Sequence, residues 1–99
     1  MSTVCVDLLI DNKKGLHARP AAKLVRLAAS FPNTTVHITR VVRASGTEEV
    51  RVIATSVLGL LMLAAEKGCK VTFEASGESA CDALAAIADL VEAKFEEIE

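Results

Sequence analysis

The sequence contains no Trp and no Tyr, and its aromatic content of 3% is supplied by Phe31, Phe73 and Phe95. Proteins that hold single-stranded nucleic acid stack its bases on aromatic faces, so this composition argues against that class. An excess of positive charge is also missing: 11 Lys and Arg stand against 13 Asp and Glu, a formal net charge of −2. Phosphate-backbone binders are usually basic, so no nucleic-acid partner is expected. Cysteine is scarce and unpaired. Cys5, Cys69 and Cys81 form no Cys-x-x-Cys, and His17 and His37 lie far from any cysteine pair, so no metal site is expected. The thiols read as reduced, acting as small hydrophobes in a cytosolic protein. Long apolar runs are absent too. The longest, Val57 to Ala65, is broken by Gly59 and is about half of what a membrane span needs. Residues 1–9 lack a basic stretch leading into an apolar one, as a signal peptide would have. A soluble cytoplasmic protein without membrane insertion is expected.

What is present is aliphatic. The hydrophobic fraction of 52% excludes disorder. The 99 residues imply a single domain, 1–99, with one core. A chain of this size buries roughly two-thirds of its unfolded surface. That leaves no room for a deep cleft with a lid, and no cofactor is expected.

Periodicity supplies the element order. Val4, Val6, Leu8 and Ile10 alternate with Cys5, Asp7 and Leu9, which predicts a strand. Asp11 to Gly15 is a polar break. From His17 to about Ser30 the spacing becomes helical, with Pro20, Leu24, Leu27, Ala28 and Phe31 on one face. Pro20 fits only the first turn, so the helix should start just after His17. Thr35–Val42 and Glu49–Ala54 read as a hairpin joined by a turn at Ala44–Thr47. Ser56 begins a second helix, 57–67, closed by Gly68. Cys69–Ala75 is a strand and Ser76-Gly77 a turn. Ser79 with Asp82 resembles a capping box before a last helix with Ala80, Leu84, Ile87, Val91, Phe95 and Ile98 in one stripe. The order β-α-β-β-α-β-α predicts an α+β fold, an open-faced β-sandwich with three helices on one face of a four-stranded sheet. The other face should meet solvent, which suits Thr35, His37 and Thr39. His37 reads as a surface side chain.

The chemistry concentrates in Gly15-Leu16-His17-Ala18-Arg19-Pro20-Ala21-Ala22. A histidine here stands at a helix mouth whose first N–H groups lack intrahelical partners, a place that favours an anion. Arg19 offers a guanidinium fork matched to phosphate oxygens. Gly15 permits an unusual backbone angle. A neutral imidazole is a competent nucleophile near physiological pH. Together they describe a histidine that takes up a phosphoryl group and holds it over a helix N-terminus. Gly15, Leu16, Ala18 and Pro20 shape the loop and helix start that support it. The bland alternative, a polar cap with a solvated Arg19, leaves the Gly, Arg and Pro spacing unexplained.

This motif resembles the phosphorylation site of the HPr family of histidine-containing phosphocarriers, which includes the nitrogen-branch relative NPr. The segment Ser56-Val57-Leu58-Gly59-Leu60-Leu61-Met62-Leu63 is similar to the family's second helix, and Glu66-Lys67-Gly68 to its ending. Ala75-Ser76-Gly77, Asp82-Ala83-Leu84 and Glu92-Ala93-Lys94-Phe95 are similar to its last strand and helix. The resemblance covers essentially the whole chain. It implies a carrier without turnover of its own rather than an enzyme. His17 would be phosphorylated on Nδ1 by the phosphoenolpyruvate-dependent Enzyme I and would pass the group to Enzyme IIA, with Arg19 steadying the phosphate. Ser56 matches the family's regulatory phosphorylation position, with HPr kinase/phosphorylase as a further partner. Capping is its plainer role, and Thr55 stands where many members carry Lys or Asn. The hairpin from Val36 to Thr55 is longer than is usual in the family. Its Arg40, Arg43, Glu48, Glu49 and Arg51 read as a solvated surface. The apolar residues of 57–63 mostly read as core. The remainder, with Val57, Leu58, Leu61 and Met62, would form a docking patch beside His17. A monomer is expected. The alternative function is a regulatory module whose phosphorylation state controls metabolism or nitrogen response.

Overall fold

Alternation at the N-terminus does make a strand. In the computed structural model, which describes residues 3–42 and 48–97, β1 spans Thr3–Leu9 with Val4, Val6 and Leu8 turned inward and Cys5, Asp7 and Leu9 outward. There follow α1 (Ala18–Ala29), β2 (Thr34–Val42), β3 (Glu48–Ile53), α2 (Val57–Leu63), β4 (Lys70–Gly77) and α3 (Ala80–Glu92). A short 3-10 turn, Lys94–Glu96, comes after α3. The strands form one antiparallel sheet in the order β1-β4-β2-β3. This is the open-faced α+β arrangement expected from the residue pattern. The tip 44–47, Arg43 and Ile98 lie outside the described residues.

Register explains the two faces of the sheet. Val6 pairs with Phe73, Phe73 with Ile38, and Ile38 with Val52, so one apolar row crosses all the strands. One residue along, Asp7, Thr72, Thr39 and Arg51 form a polar row on the opposite face. The period of two sends adjacent rows to opposite sides. On the polar side Thr72 Oγ1 donates to Asp7 Oδ1 at 2.6 Å, and Arg51 pairs with Glu74 at 2.6 Å. On the apolar side Leu24 and Ala28 of α1, Leu60 and Leu63 of α2, and Ala83, Ile87 and Val91 of α3 are buried against the strands. Fully burying a large aliphatic or aromatic side chain contributes about 1.5–3 kcal/mol, so Phe73, Ile38, Leu24 and Ile87 dominate this core.

Several local expectations require correction. Helix α2 stops at Leu63 rather than running to residue 67. Ala64 takes the left-handed conformation (φ 53°), and Gly68 (φ 90°) instead shapes the turn into β4. The cause is competition for carbonyls. Arg40 Nη1 donates to Leu63 O at 3.0 Å and Ala64 O at 3.2 Å, and Leu16 N–H takes Ala65 O at 2.8 Å. Arg40 is therefore a tie between the sheet and the end of α2, not a solvated ornament. Most of α2 faces outward: only Leu60 and Leu63 are buried, whereas Val57, Leu58, Leu61 and Met62 are exposed.

Ser76 and Gly77 are strand, not turn, because β4 is flanked on both sides and they find partners in Thr3, Thr35 and Thr34. Ser79 precedes α3, but its side chain makes no capping hydrogen bond; its N–H donates to Thr34 Oγ1 at 2.9 Å. Helix α3 ends at Glu92. The left-handed turn that follows still buries Phe95, as the apolar stripe requires. Among the cysteines, Cys5 and Cys81 are exposed and only Cys69 is partly buried, because the outward parity of β1 and the outer face of α3 carry them to the surface.

Candidate functional site

The loop before α1 is tightly closed on itself. Asn12 is fully buried, and its Nδ2 donates to Gly15 O at 2.7 Å while Gly15 N–H returns to Asn12 O at 3.1 Å. Gly15 has φ +68°, and a Cβ there would stand 2.5 Å from Ala65 O and 2.7 Å from Glu66 Cα. Only glycine fits both the angle and the space. Leu16, 4% exposed, plugs the core, and its N–H bond to Ala65 O fastens the loop to the segment after α2.

His17 follows as the N-cap of α1 with an extended backbone (φ −88°, ψ −169°). Its carbonyl accepts the first helical bond, from Ala21 N–H at 2.9 Å, but its side chain caps nothing. The imidazole instead projects from the helix mouth at 35% exposure, with Nε2 3.1 Å from Glu97 Oε2. The other oxygen, Glu97 Oε1, accepts from Asn12 Nδ2 at 2.8 Å. One carboxylate thus bridges the loop and the ring, and it holds one nitrogen of the ring while leaving Nδ1 without a partner among the described residues.

The surroundings favour an anion. Ala18 and Arg19 head the first turn of α1, where N–H groups have no intrahelical acceptor, and that turn contains no acidic residue. Arg19 is exposed and makes no side-chain hydrogen bond or ion pair among the described residues. Pro20 is buried in the first turn, where its missing N–H costs nothing.

Ser56 caps α2, its Oγ accepting from Gly59 N–H at 3.0 Å. Leu58 and Met62 are each 69% exposed, Leu61 39% and Val57 38%, with Ile53 beside them at 41%. The bond from Leu16 to Ala65 places the end of this apolar helix next to the loop that carries His17. His37 sits half-buried on the open face of the sheet, across from Ile53 and Glu74, well away from this constellation in the topology. Among the described residues no group of three or more His, Cys, Asp and Glu is placed to hold a metal ion, and no helix is long and apolar enough to cross a membrane.

Two members of the site are not evident in the sequence. Asn12 looks like ordinary turn chemistry, and Glu97 like one of several solvated acids near the end of the chain. No spacing rule links residues so far apart. The one signal was Phe95, whose apolar stripe position fixes where the end of the chain folds back.

A family model described as "PTS HPr component phosphorylation site" matches residues 5–93. The chain belongs to the HPr family of phosphocarrier proteins. Members of the HPr family are carriers in the phosphotransferase system and not enzymes. Among relatives, the chain is 44% identical to phosphocarrier protein NPr of Shewanella violacea over 91 residues, covering 92% of this chain and 91% of the relative. It is 36% identical to phosphocarrier protein HPr of Pseudomonas aeruginosa over 94 residues, covering 95% and 97%. The crystal structure of an HPr from Thermoanaerobacter tengcongensis superposes with TM-score 0.80 at 33% identity, over 97% of this chain and 99% of that one. HPr of Bacillus anthracis gives 0.75 at 31%, over 90% and 96%. The fold and the membership of the HPr family thus rest on sequence and on shape alike.

Proposed function

We propose that the chain is one HPr-like domain, 1–99, in which Nδ1 of His17 accepts a phosphoryl group from Enzyme I and yields it to an Enzyme IIA. The observation that carries this reading is the position of the imidazole. It stands at the mouth of α1 with Nε2 held by Glu97, and its other nitrogen has no partner among the described residues. A neutral ring has one lone pair on nitrogen to offer, and the held Nε2 leaves that lone pair on Nδ1. Transfer forms a P–N bond at Nδ1 as the donor's bond to phosphorus breaks; the reverse step at the acceptor releases the ring. Arg19 supports the phosphoryl oxygens, which would otherwise lie over the first-turn N–H groups alone. Gly15, Leu16, Ala18 and Pro20 hold the loop and helix start in place. Val57, Leu58, Leu61 and Met62 form the docking surface: exposed aliphatic and thioether side chains adapt to more than one partner. The protein works as a cytoplasmic monomer, because a half-exposed site that must meet donor and acceptor in turn is reached most readily on a free surface.

Ser56 is a second acceptor position, open to an HPr kinase/phosphorylase. Phosphate there would remain compatible with the N-terminus of α2 but would add negative charge beside the docking patch.

The test is incubation with phosphoenolpyruvate and Enzyme I, followed by mass spectrometry. An acid-labile gain of one phosphoryl group, lost in His17→Ala, is expected. Labelling of His17→Ala at the wild-type rate would refute the assignment. Arg19→Ala should slow transfer with the fold intact.

A nitrogen-branch role is the second reading. It is favoured by the 44% identity to an NPr, above the 36% to the HPr of Pseudomonas aeruginosa. Faster phosphorylation by a nitrogen-branch Enzyme I than by the sugar-branch enzyme would support it, and the reverse would reject it.

A further inference from the structure

The segment 93–97 after α3 is built into the site by a series of specific contacts. After α3, Lys94, Phe95 and Glu96 all take positive φ, at 54°, 56° and 61°. A left-handed conformation is unfavourable for a non-glycine residue, so a run of them persists only where the surroundings impose it. Here two anchors do so. Phe95 is fully buried, and its carbonyl accepts from Lys23 Nζ of α1 at 2.6 Å. The turn delivers Glu97 to the mouth of α1, where its side chain is 15% exposed. There Asn12 holds one carboxylate oxygen at 2.8 Å and His17 Nε2 lies 3.1 Å from the other.

We propose that Glu97 is a positioning residue for His17, fixing the ring in the tautomer that presents Nδ1 to phosphorus. The inference rests on His17 being the phosphoryl acceptor. An ionised carboxylate only accepts hydrogen bonds, so the nitrogen facing it must carry the proton. In the neutral ring that proton is on Nε2 and the lone pair is on Nδ1. When Nδ1 forms its bond to phosphorus, the proton stays on Nε2 and the ring becomes cationic. Glu97 then faces the new positive charge through a hydrogen bond already in place. This is the role a carboxylate plays behind a catalytic histidine: it orients the ring and stabilises its cation without taking the proton. Asn12 completes the device. It is buried and donates to both Gly15 O and Glu97, so the carboxylate cannot rotate away without leaving a buried donor unpaired.

The substitution that discriminates is Glu97→Gln. Asn12 Nδ2 would continue to donate to the amide oxygen, so the amide NH2 would be turned to Nε2. A ring facing a donor must accept at Nε2, and its proton moves to Nδ1, which removes the nucleophilic lone pair. Ring 15N shifts and their couplings to carbon-bound protons, read in the free protein without Enzyme I, report the tautomer directly. Wild type should show Nε2–H, and Glu97→Gln should shift toward Nδ1–H. The rate of phosphorylation by Enzyme I should fall by about 10–100-fold, the scale at which loss of a histidine's orienting partner is felt. Glu97→Asp, which keeps the charge, should retain the Nε2–H form and recover part of the rate. An unchanged tautomer or an unchanged rate in folded Glu97→Gln would overturn the proposal. So would an Nδ1–H ring in the wild type, which needs no variant. Failure of the wild type to gain phosphate at all would instead strike the acceptor assignment, and the tautomer result would stand apart from it.

Discussion

Replacing Gly15 by alanine separates two costs that are usually mixed. At φ +68° any L-residue takes on a left-handed penalty of roughly 1–2 kcal/mol. The added Cβ would also stand 2.5 Å from Ala65 O and 2.7 Å from Glu66 Cα. Both are backbone atoms, so relief requires the segment after α2 to move, and overpacking of that kind costs about 1–3 kcal/mol. The sum is about 2–5 kcal/mol against a total stability of roughly 5–15 kcal/mol. Gly68 is the natural control. It has φ +90°, but a methyl group added there would meet nothing within 4 Å, so Gly68→Ala should show the conformational part alone. Thermal melts followed by circular dichroism should place Gly15→Ala below Gly68→Ala by about 4–8 °C for each kcal/mol of steric cost. Gly15→Ala should also weaken the Leu16 to Ala65 bond, seen as faster amide exchange at Leu16. Equal melting temperatures for the two variants would refute the claim that close approach, rather than backbone angle alone, requires glycine beside His17.

Three further outcomes follow from contacts already described. Ser56→Ala removes the oxygen that accepts from Gly59 N–H and should cost about 1 kcal/mol in chemical denaturation; a midpoint equal to wild type would deny Ser56 its capping role. Leu58→Ser and Met62→Ser alter side chains that are 69% exposed, so stability should stay within about 0.5 kcal/mol while affinity for Enzyme I falls in calorimetry. Unchanged affinity would remove these residues from the docking patch. Arg40→Gln loses the Nη1 group that donates to Leu63 O and Ala64 O and should cost about 1–2 kcal/mol in denaturant, with no loss expected if Arg40 were only solvated.

Periodicity makes the sheet and the three helices readable because each element has one wet and one dry face. Val4, Val6 and Leu8 lie inward as their alternation requires, and Leu24 and Ala28 of α1 are buried as their helical spacing requires. His17 as an N-cap was legible from Pro20, which can sit only in a first turn. The end of α2 was not. Gly68 is a good terminator by local rules, but Arg40 and Leu16, distant in sequence, take the carbonyls that a longer helix would have used. Exposure of Val57, Leu58, Leu61 and Met62 was legible, since a helix apolar on more than one face cannot turn all of it to one core; that only Leu60 and Leu63 are buried was not. Glu97 and Asn12 show the general limit. A polar residue announces its chemistry, but its partner is chosen by the tertiary fold, here by a left-handed turn that no local propensity favours.

In the proposed mechanism the fold presents Nδ1 of His17 for phosphoryl transfer while Glu97 holds Nε2. The most direct test is to phosphorylate 15N-labelled protein with Enzyme I and phosphoenolpyruvate, and to record which ring nitrogen is bonded to phosphorus. Coupling of phosphorus to Nδ1 of His17, with Nε2 still bearing its proton, is the expected result. Phosphorus on Nε2, or on a side chain other than His17, would rule this mechanism out.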